Sequence, residues 1–547
     1  MKTFSLLATF ICFVFVGAYA QYDWQWAISE GGINNETVLS LCSDDSGNLY
    51  ATGSFRDTVD FFGQEIGSAG YTDVFVASFD PDGNLNWVMT GGGTYEDTGW
   101  DIATDNAFVY VTGSFTRTAT FKDSVLNSVG SASNTDDMDM FLIKLDMEGN
   151  IVWSVTGGST SDDAAKSLAL GNDGTIYVTG DMNYEAVFGD HVTEFKGVTD
   201  IFLAAWNQSG TNLWATSAGG TNYDYGRAVK VLPNGDVVMS GRYAGTATFG
   251  DSTITAIDAA DAFIAIYNNV GVFKQLVSLS GGGNEDIQGM DIDSEGNIYV
   301  GGWFMTNLTI GSNTLFSWGE YDVFLARFSS ALEPNWSVKY GASGSDEPRT
   351  VHCDTDDNIL LAGTFERKVN FGELEYTSQG YADGFVLLLN SAGNILWGLQ
   401  SGGTGGQRIN GSCSDLNGNY FVGGDFVDEL KIGNNTLGPA AAYDLFMAKI
   451  AEDNVGINEA SLAGSNSWQI YPHPVSSTAI VNISGMSGKL VCFELYDLKG
   501  KLIFTKNLTE SVQTSFALNI SELENGIYIG VVKDSDQQHY YRKIIKQ

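Results

Sequence analysis

Runs in which apolar and polar residues alternate recur along most of the chain, and one of them is written nearly the same way each time. It reads YATGSFRDTVDFFG from Tyr50, YVTGSFTRTATF from Tyr110, YVTGDMNYEAVFG from Tyr177 and VMSGRYAGTATFG from Val238. Three more copies follow: YVGGWFMTNLTIG from Tyr299, LLAGTFERKVNFG from Leu360 and FVGGDFVDELKIG from Phe421. Alternation of this length, rich in Val, Ile, Tyr, Phe and Trp and without a helical period, is the pattern of half-buried strands. Turn chemistry separates the runs: DDSGN at Asp44, NDG at Asn172, PNG at Pro233, SEGN at Ser294 and LNGN at Leu416, with a second class in DPDGN at Asp80, MEGN at Met147 and SAGN at Ser391. One repeat therefore predicts four strands, such as a (101–104), b (109–115), c (140–145) and d (150–155), joined by hairpins. Pieces such as FGD, IGSN, FGEL and IGNN between b and c predict an added hairpin.

Two further markers keep the same beat. Trp26, Trp87, Trp153, Trp214, Gln275, Trp336 and Trp397 are separated by 61, 66, 61, 61, 61 and 61 residues. Asp73, Asp139, Asp200, Asp261, Asp322, Asp383 and Asp444 each stand two residues before a Phe. A period held by three independent markers is a repeat architecture, and four strands per repeat fit a propeller blade better than a solenoid coil. The seventh repeat ends at DLFMAKIAEDN without a strand d, whereas an orphan strand d, WQWAISEGG, opens at Trp24. The expected fold is all-β: a seven-bladed β-propeller closed by its N-terminal strand, which leaves no open sheet edge to protect. On these repeats the sequence resembles the exported bacterial seven-bladed propeller-repeat proteins over residues 21–456.

The ends of the chain change the picture. Lys2, the apolar run around Leu6 to Val16 and then Ala18-Tyr19-Ala20 read as an export signal over 1–20, with a mature chain beginning at Gln21. No later run of 18 or more apolar residues exists, so the expectation is an exported, soluble chain with no transmembrane helix. After a linker at 457–467, the period stops and residues 468–547 read WQIYPHPVSSTAIVNI, VCFELYDLKGKLIFTKNL and LNISELENGIYIGVVKDSDQQHYYRKIIKQ, a small antiparallel sandwich. The YPHP opening, the LYDLKGK hairpin, the GIY strand and the basic, apolar end resemble the type A C-terminal sorting domain of type IX secretion. His473 stands where that family has Asn. The resemblance implies passage through the periplasm and across the outer membrane, a secreted or cell-surface destination, and the type IX machinery as partner of residues 468–547.

Charge separates the two parts. Residues 457–547 hold eight basic and eight acidic side chains, whereas 21–456 hold 18 against 58, a net of −40. Such a field excludes nucleic acid as a partner. Cys42, Cys353 and Cys413 recur near one place in their repeats and, without a CxxC or a neighbouring cluster of His, read as small packed residues.

Candidate chemistry is sparse. His191, His352, His473 and His539 are the four histidines, too few to expect a Ser-His-Asp or metal-His centre. No cofactor is expected; the DPDGN and SEGN turns resemble fragments of calcium loops but lack the spaced carboxylates and the closing Glu, which leaves a structural Ca²⁺ as the one metal open. The seven repeated aspartates are expected to accept backbone N–H bonds across turns. The informative positions are those where the repeats disagree. Thirteen residues after each Trp marker stand Leu39, Trp100, Lys166, Arg227, Gln288, Arg349 and Asn410; directly after the Gly of the repeated phrase stand Ser54, Ser114, Asp181, Arg242, Trp303, Thr364 and Asp425. Both sets are expected at one mouth, where Trp100, Lys166, Arg227, Arg242, Trp303 and Arg349 make a pocket for an anionic or sugar-like ligand. The alternative is that each cation neutralises a nearby Asp and each Trp packs. The leading reading is a binding protein for an extracellular glycan, peptide or protein, without chemistry of its own. A carbohydrate hydrolase or lyase using carboxylates at that mouth, or a structural surface-layer component, are the alternatives.

Overall fold

The computed structural model describes residues 22–130, 137–452, 468–471, 475, 477–483, 490–497, 501–507, 515–521, 523, 526–534 and 539–546. The expected signal peptide (1–20), residues 131–136 within SASNTDD, where repeat two is five residues longer than the others, the 457–467 linker and His473 lie outside them. Every regular element among the described residues is a β-strand. Contacts divide the chain into a body over Asp23–Ala451 and a second part that takes in Glu452–Gln547.

In the body the repeat is a four-stranded antiparallel sheet. In repeat two, strand a is Thr98–Thr104, b is Phe108–Thr116, c is Met138–Asp146 and d is Ile151–Gly157, paired in the order d-c-b-a. The turns between strands work through one carboxylate. Asp44 Oδ1 accepts the N–H groups of Ser46 and Asn48, both at 2.9 Å, its other oxygen accepts Asn48 Nδ2 at 2.8 Å, and Gly47 takes the left-handed conformation that the turn requires. Asp80, Asp146, Asp293, Asp354 and Asp415 repeat the arrangement. The turns that resemble calcium loops thus occupy their carboxylates with N–H donors, and no group of three or more His, Cys, Asp or Glu among the described residues is arranged to hold a metal ion.

The tryptophan marker joins each repeat to the next. Trp87 Nε1 donates to Met147 O at 2.8 Å, Trp153 to Gln208 O at 3.0 Å, Trp214 to Asn269 O at 3.0 Å and Trp336 to Ser391 O at 3.1 Å; each acceptor lies in the c–d turn of the following repeat. Gln275, the exception in the series, makes the same bond through Nε2 to Ala331 O at 2.6 Å. A donor at this height, not an indole as such, is what the joint demands.

The added hairpins appear as separate strand pairs in repeats two to five: Thr118–Phe121 with Ser124–Asn127, Val187–Phe188 with His191–Val192, Thr246–Phe249 with Ser252–Thr255, and Asn307–Ile310 with Asn313–Phe316. In repeats one, six and seven, strands b and c run on instead, as in Leu49–Phe61 with Gln64–Phe79. A hairpin can pair with strand d of the preceding repeat, as Gly91 with Phe121 and Ala218 with Phe249. Gly91 has to be glycine there, because a Cβ would lie 2.1 Å from the Phe121 ring.

Tyr22–Glu30 lies beside Asn435–Glu452, strand c of repeat seven. The first strand of repeat seven also reaches that of repeat one: Ser43 Oγ donates to Ser414 O at 2.7 Å and Asn410 Nδ2 to Val38 O at 3.1 Å. Val38, Phe55 and Phe75 of repeat one share a buried cluster with Phe421, Leu445 and Met447 of repeat seven. In the tail, a three-stranded sheet (Trp468–Tyr471, Thr478–Ile483, Ser515–Asn519) and a four-stranded sheet (Leu502–Asn507, Leu490–Asp497, Gly526–Asp534, His539–Lys546) contribute to one core around Val481, Phe493, Leu495 and Leu518.

The repeated aspartates accept N–H bonds as expected, but from a different place. Asp73 accepts from Ala69 N at 3.0 Å and Asp200 from Lys196 N at 2.6 Å, each donor four residues upstream in the approach to strand c, and Asp139 accepts from Val129 N, ten residues upstream, at 2.6 Å. The Gly-rich loop leading to strand a turns on a second carboxylate: Gly93 N donates to Asp97 at 2.6 Å and Gly220 N to Asp224 at 2.7 Å. The two carboxyls converge, since a Cβ on Gly92 would lie 2.6 Å from Asp73 Oδ1 and 2.8 Å from Asp97 Oδ2. Burial pushes Asp97 up to about 7, Asp139 up to about 8 and Asp163 up to about 7, and the facing carboxylate adds to the rise for Asp97 and Asp139. Elsewhere the repeats neutralise the pair differently, with Lys339 Nζ at 2.8 Å from Asp322, and with Gln407 in place of the second acid beside Asp383.

Two outcomes follow from this packing. Carboxyls with folded-state pKa near 7 to 8 and unfolded values of about 4 hold protons in the folded chain that the unfolded chain has released, so their stabilisation is full on the acid side and lost as pH rises through 7 to 8. Calorimetry of the full chain should show Tm falling from pH 5 to pH 8, and Asp139→Asn should flatten that fall by raising Tm at pH 8 more than at pH 5; a Tm that climbs with pH contradicts it. Deleting Tyr22–Glu30 should expose the edge of Asn435–Glu452 and give a protease-sensitive, aggregating chain, measured by limited proteolysis and light scattering. An unchanged melting curve would show that this strand does not complete the last sheet.

Candidate functional site

Strands a and b of every repeat pair out of step at one residue. The register skips Leu39 in repeat one, Trp100 in two, Lys166 in three, Arg227 in four, Gln288 in five, Arg349 in six and Asn410 in seven. These are β-bulges, in which the extra residue is released from pairing and its side chain is re-aimed. The residue opposite is the Gly of the repeated phrase. A Cβ would lie 1.9 Å from Thr37 O at Gly53, 2.0 Å from Thr98 O at Gly113, 1.9 Å from Ala164 O at Gly180 and 2.0 Å from Tyr225 O at Gly241. Gly302, Gly363 and Gly424 meet strand a in the same way, at 2.0, 2.1 and 1.8 Å. The repeated phrase therefore keeps its glycine because a bulge presses a carbonyl onto it.

All seven bulge residues line one cavity of about 350 Å³ between the first strands. Trp100, Lys166, Arg227 and Arg349 are thus brought together as expected. Arg242 and Trp303 do not line it: they sit on strand b in regular pairing, where Arg242 lies over the Tyr225 ring at 5.0 Å and Trp303 packs edge-on against Tyr321 at 4.8 Å. Without a bulge to re-aim them, Trp303 stays against its own repeat and Arg242 turns toward Asp286 of repeat five.

The cations at this level differ in how they are held. Arg227 Nη2 stands 3.2 Å from Asp286 Oδ2, which also takes Gln288 Nε2 at 3.1 Å and has Arg242 Nε 4.0 Å away. Arg349 pairs with Glu347 at 3.0 Å. Lys166 has no ion-pair partner within 4 Å among the described residues; its ammonium rests 3.5 Å from the centre of the Trp100 ring, a cation–π contact. Burial lowers Lys166 to about 8 and the Arg227 charge adds to the fall, while Asp181 opposes both. Trp100 Nε1 donates to Ser114 Oγ at 3.2 Å, which fixes the indole under the ammonium.

Three residues further along strand a lies a second polar level that sequence reasoning missed. Cys42, Lys230, Asp291, His352 and Cys413 line the same cavity there, with Ser43 and Ser414 one residue on. Lys230 Nζ stands 3.2 Å from Asp291 Oδ1, His352 Nδ1 3.3 Å from Asp291 Oδ2, and His352 Nε2 2.8 Å from Ser414 Oγ. Burial would raise the Asp291 carboxyl, but Lys230, His352 and the N–H of Cys353 at 2.8 Å hold it well below the ordinary carboxylate range. The sparse histidines had argued against any Ser-His-Asp grouping; the structure assembles one from three successive repeats. The repeats also disagree at this position, where Cys42, Ala103, Ala169, Lys230, Asp291, His352 and Cys413 stand, and that variation is the signal in the sequence for Lys230, Asp291 and His352. The thiols of Cys42, Cys353 and Cys413 are free and pushed up by burial, which makes them poor nucleophiles.

Comparison with known proteins bears first on the tail. Residues 469–547 match the family model for the secretion system C-terminal sorting domain. The tail is a type IX sorting domain, which marks proteins secreted to the cell surface or outside, and no helix among the described residues is long and apolar enough to cross a membrane. An uncharacterized WD repeat-containing protein of Acanthamoeba polyphaga mimivirus is 22% identical over 84% of this chain and 41% of its own length. Regulatory protein FlaEY of Caulobacter vibrioides is 25% identical over 66% of this chain and 39% of its own. The chain thus spans about two fifths of the length of these relatives. A crystal structure of a DUF4221 family member from Bacteroides vulgatus aligns with 79% of this chain and 98% of that one, at 10% identity and a TM-score of 0.34, too loose a likeness to bear on function.

The sorting domain generates a direct test in the host. A chain lacking residues 468–547 should accumulate in the periplasm, seen by cell fractionation, while the intact chain reaches the surface or the medium. Surface delivery of the shortened chain at the normal level would remove the tail from the export route.

Proposed function

We propose that residues 21–456 form a closed seven-bladed β-propeller, delivered by a signal peptide over 1–20 and the tail over 468–547, which binds an acidic extracellular glycan at the bulge end of its central cavity. Closure is supported by the bonds from Ser43 to Ser414 and from Asn410 to Val38, and by the place of Tyr22–Glu30 beside the last sheet. The observation that carries the binding reading is the convergence of Lys166, Arg227, Arg349 and Trp100 in one cavity of a body with 58 acidic and 18 basic residues. A cation there can meet a carboxylated sugar, and the indole offers an apolar face for a pyranose ring. Exposed aromatics at the same ends of the strands extend the platform: Tyr71, Tyr223, Trp318 and Tyr381 are 52%, 53%, 72% and 84% exposed. Arg56 lies 4.9 Å from the Tyr71 ring and Lys339 3.7 Å from that of Trp318, so cation and ring come as pairs here as well. Two carboxylates at this level, Asp181 and Asp286, lie among these cations, which oppose the rise that burial imposes on both.

Titration of the full mature chain with polygalacturonate, and with a neutral glucan as control, tests the reading. Changing Arg227 and Arg349 together to Ala should weaken binding of the acidic polymer by about 2 kcal/mol, ~30-fold, with little change in Tm. A large fall in Tm with unaltered affinity would assign both arginines to the fold, and equal binding of both polymers would remove charge from the recognition.

A further inference from the structure

The line Asp291, His352, Ser414 does more than tie three repeats together. What a purely tying carboxylate looks like is seen at Asp101 of repeat two, which accepts Ser40 Oγ at 2.7 Å and the N–H of Leu168 at 2.8 Å. At Asp291 one oxygen takes Lys230, the other takes the N–H of Cys353 and faces an imidazole, and the far nitrogen of that ring meets a hydroxyl. An ionised Asp291 beside Nδ1 selects the tautomer with its proton on Nδ1 and leaves the Nε2 lone pair toward Ser414 Oγ, 2.8 Å away. All three side chains line the cavity of about 350 Å³, so a small molecule that enters meets the hydroxyl and its base together.

We propose that Ser414 is a nucleophile, with His352 as its general base and Asp291 as the residue that positions the imidazole, and that this group hydrolyses small carboxylic esters in the cavity. Ser414 Oγ attacks the ester carbonyl carbon while its proton passes to His352 Nε2. The tetrahedral intermediate collapses, the C–O bond to the alcohol breaks, and the leaving oxygen takes that proton. Water then attacks the acyl-serine, gives a proton to His352, and the carboxylic acid leaves as the proton returns to Ser414 Oγ. The balance is ester plus water to acid plus alcohol, with no other reactant. Lys230, 3.2 Å from the other Asp291 oxygen, keeps that carboxylate ionised and so supports its hold on the imidazole. The inference goes beyond glycan binding and does not rest on it, because its readout is turnover of a probe.

The test uses the full mature chain with p-nitrophenyl acetate as substrate and a fluorophosphonate as label. Peptide mapping should find the label on Ser414, and Ser414→Ala and His352→Ala should each lower kcat/KM at least 100-fold. Asp291→Asn should lower kcat with KM little changed and distort the pH–rate profile, with partial recovery in Asp291→Glu, responses that a merely structural role would not produce. Hydrolysis by Ser414→Ala at the parent rate, or a label that attaches elsewhere or not at all, overturns the proposal. Should the variants fail to fold, labelling of the unaltered chain still decides.

Discussion

The contact on which the body depends is the approach of strand a's backbone to a glycine of strand b, a carbonyl oxygen about 2 Å from where a side chain would begin. That approach exists because strand a carries one residue too many for its ladder. The surplus residue cannot be accommodated in the pairing, so it turns out of the sheet and toward the space between the repeats. Seven repeats with the same mismatch point seven side chains at one cavity. The glycine is held constant by sterics, whereas the bulge residue, freed from pairing, is open to Leu, Trp, Lys, Arg, Gln or Asn.

Around this constraint the repeats are fastened by bonds that recur by position more than by residue type. The indole of Trp87 and the amide of Gln275 reach equivalent carbonyls of the next repeat, so what is retained is an N–H donor at the right distance. The paired carboxyls between strand d and the next strand a show the same economy of form. Burial and the facing carboxylate raise Asp97 and Asp139, an ammonium serves Asp322, and an amide replaces the second acid at Gln407. Each solution removes one negative charge from a place with little water, which in a chain of net charge −39 is the recurrent physical difficulty.

The charge also separates the work of the two parts. The tail, with balanced charge and its own core around Phe493 and Leu495, is the part by which the chain is exported. Several of the body's cations touch rings or buried acids, as Lys166 does over Trp100 and Arg227 does beside Asp286. On a surface so acidic, a cation held in this way is a local exception to the field, and the cavity gathers several of them.

The sequence by itself determined the period, the four strands of each repeat, the place of the orphan N-terminal strand and the nature of the tail, because each of these is set by local alternation, turn residues or a contiguous motif. It also marked Trp100, Lys166, Arg227 and Arg349, since residues that vary at a fixed place in a repeat are not dictated by the framework. Tertiary structure decided the rest. Arg242 and Trp303 stand at equally variable positions, yet regular pairing keeps them out of the cavity, and a bulge is not visible in a linear pattern. Asp291, His352 and Ser414 are about one repeat apart in the chain, so nothing local joins them; they meet because packing of successive repeats sets equivalent residues side by side, at distances that sequence spacing does not contain.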